Sequence, residues 1–151
     1  MSITYDLLGP NAVTWMGFAF KTILNAEDTG GAMSVVDSVV PANSGPPRHV
    51  HQAEDECFIV LTGEIEFWLE GETFTRGPGE TAFIPRGKEH TFRVVGDQPS
   101  RHLVVLTPGG FEGFFYEMAR EQYSIPEDME HVNASAARHN LAFTGPPLGM
   151  N

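Results

Sequence analysis

Apolar and polar residues alternate in short runs along the first two thirds of the chain, and clusters of Gly, Pro, Asn and Asp separate the runs. In Glu64–Leu69, Ile65, Phe67 and Leu69 share one parity, while Glu64, Glu66 and Trp68 share the other. Successive strand side chains point to opposite faces, so the charged parity faces out and Ile65, Phe67 and Leu69 face in. The same reading predicts strands at Ala12–Leu24, Met33–Val40, His49–His51, Glu56–Leu61, Glu64–Leu69, Glu72–Thr75, Thr81–Ile84, His90–Val95 and His102–Leu106. Turn signals fall between them at Asp28–Gly31, Asn43–Pro47, Thr62-Gly63, Glu70-Gly71, Gly77–Gly79, Pro85–Gly87 and Gly96-Asp97. Many short strands at close spacing read as an all-β sandwich or barrel.

After Pro108-Gly109-Gly110 the texture changes. Phe111–Gln122 and Glu127–Asn140 have helical length and composition, with Pro126 near the first position of the second helix. Gly145–Leu148 reads as an extended tail. The expected organisation is a β-domain over residues 1–110, with a helical extension and tail over 111–151 packed on the same domain.

Bulk properties narrow the partners. At 151 residues the chain fits one domain with a real core. Nine Lys and Arg stand against twenty Asp and Glu, a net charge of −11, which argues against nucleic acid and anionic membrane as partners. Solubility is the plain reading of the acidity. The single cysteine, Cys57, excludes an intramolecular disulfide. Met1–Pro10 shows no charged-then-apolar leader, and no apolar run approaches the roughly 20 residues of a membrane-spanning helix. A cytoplasmic location is the expectation.

The candidate chemistry lies in His49-Val50-His51, Glu56 and His90. Residues i and i+2 of a strand point the same way, so His49 and His51 present two imidazoles side by side. Glu56 adds a carboxylate and His90 a third imidazole. Three neutral nitrogens and one oxygen anion suit a divalent transition metal, with coordination positions left for substrate or water. Iron, manganese, nickel, cobalt, copper and zinc all accept such a set. Parity sets the surroundings: with the histidines inward, Phe58, Val60, Phe67, Leu69, Phe92 and Val94 line an apolar pocket around one polar centre. His102 shares a face with Val104 and Leu106 on the last strand, so it either joins that lining or is a packed or exposed histidine. Glu54 is expected at the pocket mouth, Asp55 in solvent, and Cys57 facing away from the metal. Arg86 and Lys88 read as surface charge, with a grip on an anionic substrate as the alternative. His131 and His139 read as solvated. Phe111, Phe114, Phe115 and Met118, at helical spacing, are expected to pack on the barrel, with a lid over its mouth as the alternative. Glu56–Leu61 is apolar on its other face too (Cys57, Ile59, Leu61), so it must be covered on both sides. The N-terminal strand, the C-terminal helices or a second subunit are the possible covers, and a homodimer is the expectation.

The run from Gly45-Pro46-Pro47 through His49, His51 and Glu56 to Gly63 resembles the first motif of the cupin family, as His-x-His-x4-Glu-x6-Gly. Gly79-x5-Pro85-x-Gly87-x2-His90 resembles the second, in the family's order. The Gly-Pro-Pro lead-in and Pro108–Glu112 are similar to small single-domain quercetin-dioxygenase-like cupins. Two positions depart from the pattern. Val94 stands where Asn is frequent, which removes one polar pocket contact. Asn43 stands where Gly is usual, and Asn tolerates positive φ well enough to keep the turn.

The resemblance implies a double-stranded β-helix, or jelly-roll barrel, with short C-terminal helices. It also implies one metal on His49, His51, Glu56 and His90, with Glu56 either a ligand or a general base beside the metal. The activity implied is a dioxygenase-like reaction of a small, largely apolar or aromatic enol, diketone or flavonol, with dioxygen as second substrate. Isomerisation, decarboxylation and non-catalytic binding occur on the same fold, so the resemblance fixes the fold better than the reaction.

Overall fold

The structure, a computed structural model, describes residues 7–149. The expectations at the two chain ends, including most of the Met1–Pro10 segment, lie outside these residues. Eleven strands form two antiparallel sheets. The first comprises β1 (Val13–Trp15), β2 (Phe18–Leu24), β3 (Ser34–Val40), β10 (Ser100–Thr107), β5 (Asp55–Thr62) and β8 (Thr81–Ile84), in that spatial order. The second comprises β11 (Leu141–Pro147), β4 (Pro47–His51), β9 (His90–Val95), β6 (Glu64–Leu69) and β7 (Glu72–Arg76). The chain crosses repeatedly between the sheets, which makes a jelly-roll sandwich and not one continuous closed barrel.

The alternation read from the sequence becomes the core. Phe58 and Val60 of β5, Ile65 and Phe67 of β6, Phe92 and Val94 of β9, and Val104 and Leu106 of β10 are all buried between the sheets. Their outward neighbours Cys57, Ile59, Glu66, Arg93, Leu103 and Val105 are only partly covered.

Three elements differ from the expectation. Ala12–Leu24 is a hairpin, not one strand: Met16 and Gly17 both have positive φ (53° and 80°), and β1 folds back on β2 with Trp15 opposite Phe18. Two consecutive left-handed residues suit the twist of a two-residue hairpin, and the apolar run on either side hid the break. The extended tail is a strand, β11, which adds to the edge of the second sheet beside β4. Pro126 lies three residues ahead of the second helix, which starts at Met129. The helices are α1 (Glu112–Glu121) and α2 (Met129–Arg138). Trp15 meets the Phe114 ring edge-on at 5.9 Å and donates its indole N–H to the Tyr123 carbonyl, which holds α1 and the segment after it over β1.

The loop before β4 shows why Gly45 belongs there. A Cβ on Gly45 would lie 1.8 Å from the Phe92 carbonyl oxygen, so only glycine lets this loop pass against β9. Asn43 adopts φ 63°, as its tolerance for that region predicts, and its N–H donates to the Val94 carbonyl at 2.8 Å.

Candidate metal centre

β4, β5 and β9 converge to place four side chains in one cluster. Within β4, Pro47 starts the strand, Arg48 and Val50 face outward, and His49 and His51 face inward and are buried. His49 stands directly opposite His90 on β9. Glu56 opens the inward face of β5, one residue after the strand begins. Each of His49, His51, Glu56 and His90 offers one ligand atom, and these atoms all lie within 4.8 Å of one another.

Backbone contacts set the tautomers of two imidazoles. Nδ1 of His49 lies 2.7 Å from the Pro47 carbonyl oxygen, and Nδ1 of His90 lies 2.9 Å from that of Lys88. A carbonyl only accepts, so each Nδ1 carries the proton and each Nε2 turns a lone pair to the cluster. His51 presents Nε2 to Glu56 Oε1 at 2.5 Å, and Glu54 Oε1 stands 3.8 Å from its Nδ1. Glu54 is thus buried behind His51, not at the mouth of the pocket.

The cluster's electrostatics follow from burial and crowding. Burial, then the nearby His90 and His51, hold the His49 pKa well below its ordinary value. Burial acts in the same direction on His51, but the Glu56 and Glu54 carboxylates outweigh it and raise that pKa to about 9. Burial alone would raise the Glu56 pKa, and the two facing imidazoles hold it well below the usual carboxylate range. Two buried atoms aimed into the cluster, Glu56 Oε1 and His90 Nε2, lack hydrogen-bond partners among the described residues. The contacts of Glu56 Oε1 with His51 and His90 (3.3 Å) are close but not aligned as hydrogen bonds. Unsatisfied buried acceptors cost free energy, and a cation between them would satisfy all four donors together. The residues therefore fit a divalent metal, and no other group of this kind occurs among the described residues.

A cavity of about 770 Å³ opens from the cluster between the sheets. Of the residues expected to line it, Phe58, Phe92 and His102 do, together with His49, His51 and Glu56. Val60, Phe67 and Val94 instead lie fully buried beyond the aromatic layer, and Leu69 packs against the core from its side. Parity names the inner face of a strand but not how far down that face the sheets close together. His90 also stays behind the wall, 2% exposed.

The cavity has contributors that the strand pattern did not include. Phe111, Phe114 and Phe115 of the α1 region line it, and the Phe111 ring meets His51 edge-on at 4.3 Å. Phe143 of β11 stands 6.3 Å from His49. The helical spacing of the three phenylalanines was the available signal. Asp55 and Arg86 face away from the cluster and bond to each other, tying β5 to the turn before His90. That pair is a brace and not a substrate grip. His139 is half-buried, with Nδ1 2.9 Å from the Ser135 carbonyl, while His131 is exposed as expected and stacks on Tyr123.

The Cupin domain profile matches residues 36–106, the span that holds all four clustered residues and both histidine motifs. The chain belongs to the cupin family. It is 30% identical over 95 residues to the quercetin 2,3-dioxygenase of Bacillus subtilis, covering 63% of this cupin and 28% of that protein. It is 42% identical over 67 residues to the dimethylsulfoniopropionate lyase DddQ of Ruegeria pomeroyi, covering 44% of this cupin and 32% of the lyase. Among solved structures it resembles the polyketide cyclase RemF of Streptomyces resistomycificus, at 30% identity and a TM-score of 0.54, over 65% of this cupin and 68% of that chain. The cupin spans about a third or less of the length of the first curated relatives it matches. These similarities join one fold to an oxygenase, a lyase and a cyclase. Among the described residues no helix is long and apolar enough to cross a membrane.

Proposed function

We propose that this cupin is a metal-dependent, dioxygenase-like enzyme acting on a small, largely apolar or aromatic enol, diketone or flavonol, with His49, His51, Glu56 and His90 holding the metal. The observation that carries this reading is a four-donor cluster at the wall of a mainly apolar cavity of about 770 Å³. Similarity to two quercetin 2,3-dioxygenases supports it. A divalent transition metal bound there supplies Lewis acidity toward a substrate oxygen. Glu56, buried and held anionic, either completes the ligand set or, released from the metal, accepts the proton of the enol or phenol hydroxyl. Phe58, Phe92, Phe111 and Phe114 exclude water and carry the carbon skeleton. A sugar phosphate is disfavoured, because Arg93 is the one basic side chain among Lys and Arg on the cavity wall.

A second reading, a lyase, isomerase or cyclase on the same enolate chemistry, draws support from the likeness to the lyase and the cyclase. Oxygen-electrode assays of the metal-loaded protein with flavonols and 1,2-diketones separate the two. Oxygen consumed in step with substrate supports the dioxygenase, and substrate turnover without oxygen uptake overturns it in favour of the second reading.

The same proposal includes a homodimer. Phe83, Cys57, Val105 and Val35 form a continuous apolar row across the outer face of β8, β5, β10 and β3. Phe83 is 58% exposed and Leu61 of the same sheet face 40% exposed. The exposure of Phe83 and Leu61 supports a second subunit as the cover of this face.

A further inference from the structure

Beyond the metal-ligand cluster, one polar group in the cavity has no part in the chemistry above. His102 is 1% exposed yet lines the cavity wall, and its ring lies 5.6 Å from both the Phe58 and the Phe92 ring. Its Nδ1 is 3.3 Å from Ser100 Oγ, which leaves Nε2 as the ring's other hydrogen-bonding atom. Ser38 stands directly opposite it in the β3–β10 register, is also buried, and lines the same wall. An imidazole in a largely apolar cavity wall offers a hydrogen-bonding nitrogen to whatever fills the cavity.

Its position relative to the metal centre is fixed by register. On β10, Leu106 is level with Glu56, Val104 with Phe58, and His102 with Val60. His102 is therefore two inward steps from the level of Glu56, about 13 Å of strand, with the Phe58 layer between. The cavity thus has two polar poles separated by an aromatic, water-excluding span.

We propose that His102, with Ser38 beside it, is the second polar pole of the cavity and hydrogen-bonds an oxygen at the far end of a flat, two-ring aromatic substrate whose enol oxygen sits at the metal-ligand cluster. The inference rests on the aromatic-enol reading above and specifies the substrate class for it. Burial holds the His102 pKa at about 4, so the ring is neutral at physiological pH. The Ser100 hydroxyl can donate to Nδ1 or accept from it, so Nε2 can serve as donor or acceptor. A site built to bond a substrate hydroxyl discriminates strongly against the analogue that lacks it, because the buried imidazole is then left unpaired.

The test compares 3-hydroxyflavone with its 4′-hydroxy derivative, binding to protein loaded with zinc(II), which is redox-inert, by calorimetry. Wild type is expected to bind the 4′-hydroxy compound at least about tenfold more tightly, the worth of one buried hydrogen bond. His102→Phe should erase that preference while keeping affinity for 3-hydroxyflavone, and His102→Gln, which keeps a polar group, should restore part of it. Thermal melts of each variant establish that the fold is retained, and His102→Gln carries the test alone if His102→Phe fails to fold. Equal binding of both flavonols by wild type, or a preference unchanged in the variants, overturns the role of His102 and leaves the aromatic-enol reading standing. Binding of neither flavonol overturns both.

Discussion

His49 on β4 and His90 on β9 face each other as direct cross-strand partners, with ring centroids 4.4 Å apart, although 41 residues separate them in sequence. Each ring is turned by its own backbone, His49 by the Pro47 carbonyl and His90 by that of Lys88. Two Nε2 atoms presented from one strand pair are half of the candidate metal cluster, placed by the sheet itself. Outer contacts to a metal site typically cost 10–100-fold in affinity when removed, so a direct ligand should cost at least about 100-fold. Replacing His49 or His90 by Ala is expected to reduce bound metal from near one equivalent to a trace, measured by elemental mass spectrometry, with a native circular-dichroism spectrum. Full metal content in both variants would refute the assignment.

Metal binding should be coupled to protons through His51. With its pKa raised to about 9 by Glu56 and Glu54, the His51 ring of the metal-free protein is protonated at neutral pH, and a metal must displace that proton. Affinity should therefore rise with pH, about tenfold per unit below pH 9, and level off above it. Glu56→Gln removes the anion that holds the proton, so the levelling-off should move to lower pH even as affinity falls. Zinc titrations at stepped pH read this directly.

Acid should destabilise the metal-free protein through His102. Its folded pKa of about 4 lies below the ordinary value of 6.5, so the unfolded chain takes up the proton first. Stability is retained above pH 6.5 and lost as pH falls from 6.5 to 4, by up to about 3 kcal/mol from this group. His49, lowered for the same reason, adds loss of the same sign. His102→Gln should flatten the acid limb of a urea-denaturation series, and an unchanged limb would show that His102 does not carry it.

Gly45→Ala should be among the more damaging single-methyl changes. The added Cβ meets the Phe92 carbonyl at 1.8 Å, so β9 or the loop must move. A loss of about 2–3 kcal/mol is expected from that overpacking. The shift reaches His90 and Phe92 together, so metal affinity should fall with stability. Chemical denaturation beside a zinc titration measures both.

The exposed row around Phe83 predicts self-association. Wild type should sediment at twice the chain mass, and Phe83→Lys, which places a charge in that row, should sediment as a monomer without loss of metal. A monomeric wild type would remove the dimer from the proposal.

The strand bounds of β6, β8 and β9 were legible because strict alternation marks a strand half-buried on one face. The hairpin at Met16-Gly17 and the strand β11 were not, since one lies inside a continuous apolar run and the other is an edge strand with Gly and Pro that looks like a tail.

By itself, the sequence determined the two histidine motifs, the all-β class and the identity of the four clustered donors, because these depend on spacing and on the two-residue period of strands, while the jelly roll followed from the resemblance those motifs carry. Only the tertiary structure decided which inward residues face open space. Phe58, Phe92 and His102 do, while Val60, Phe67 and Val94 are sealed where the sheets close. It likewise brought Phe111 and Phe143, from a helix start and a late strand, against His51 and His49. Those contacts depend on how the two sheets and the helices pack in three dimensions, a distance that no local pattern encodes.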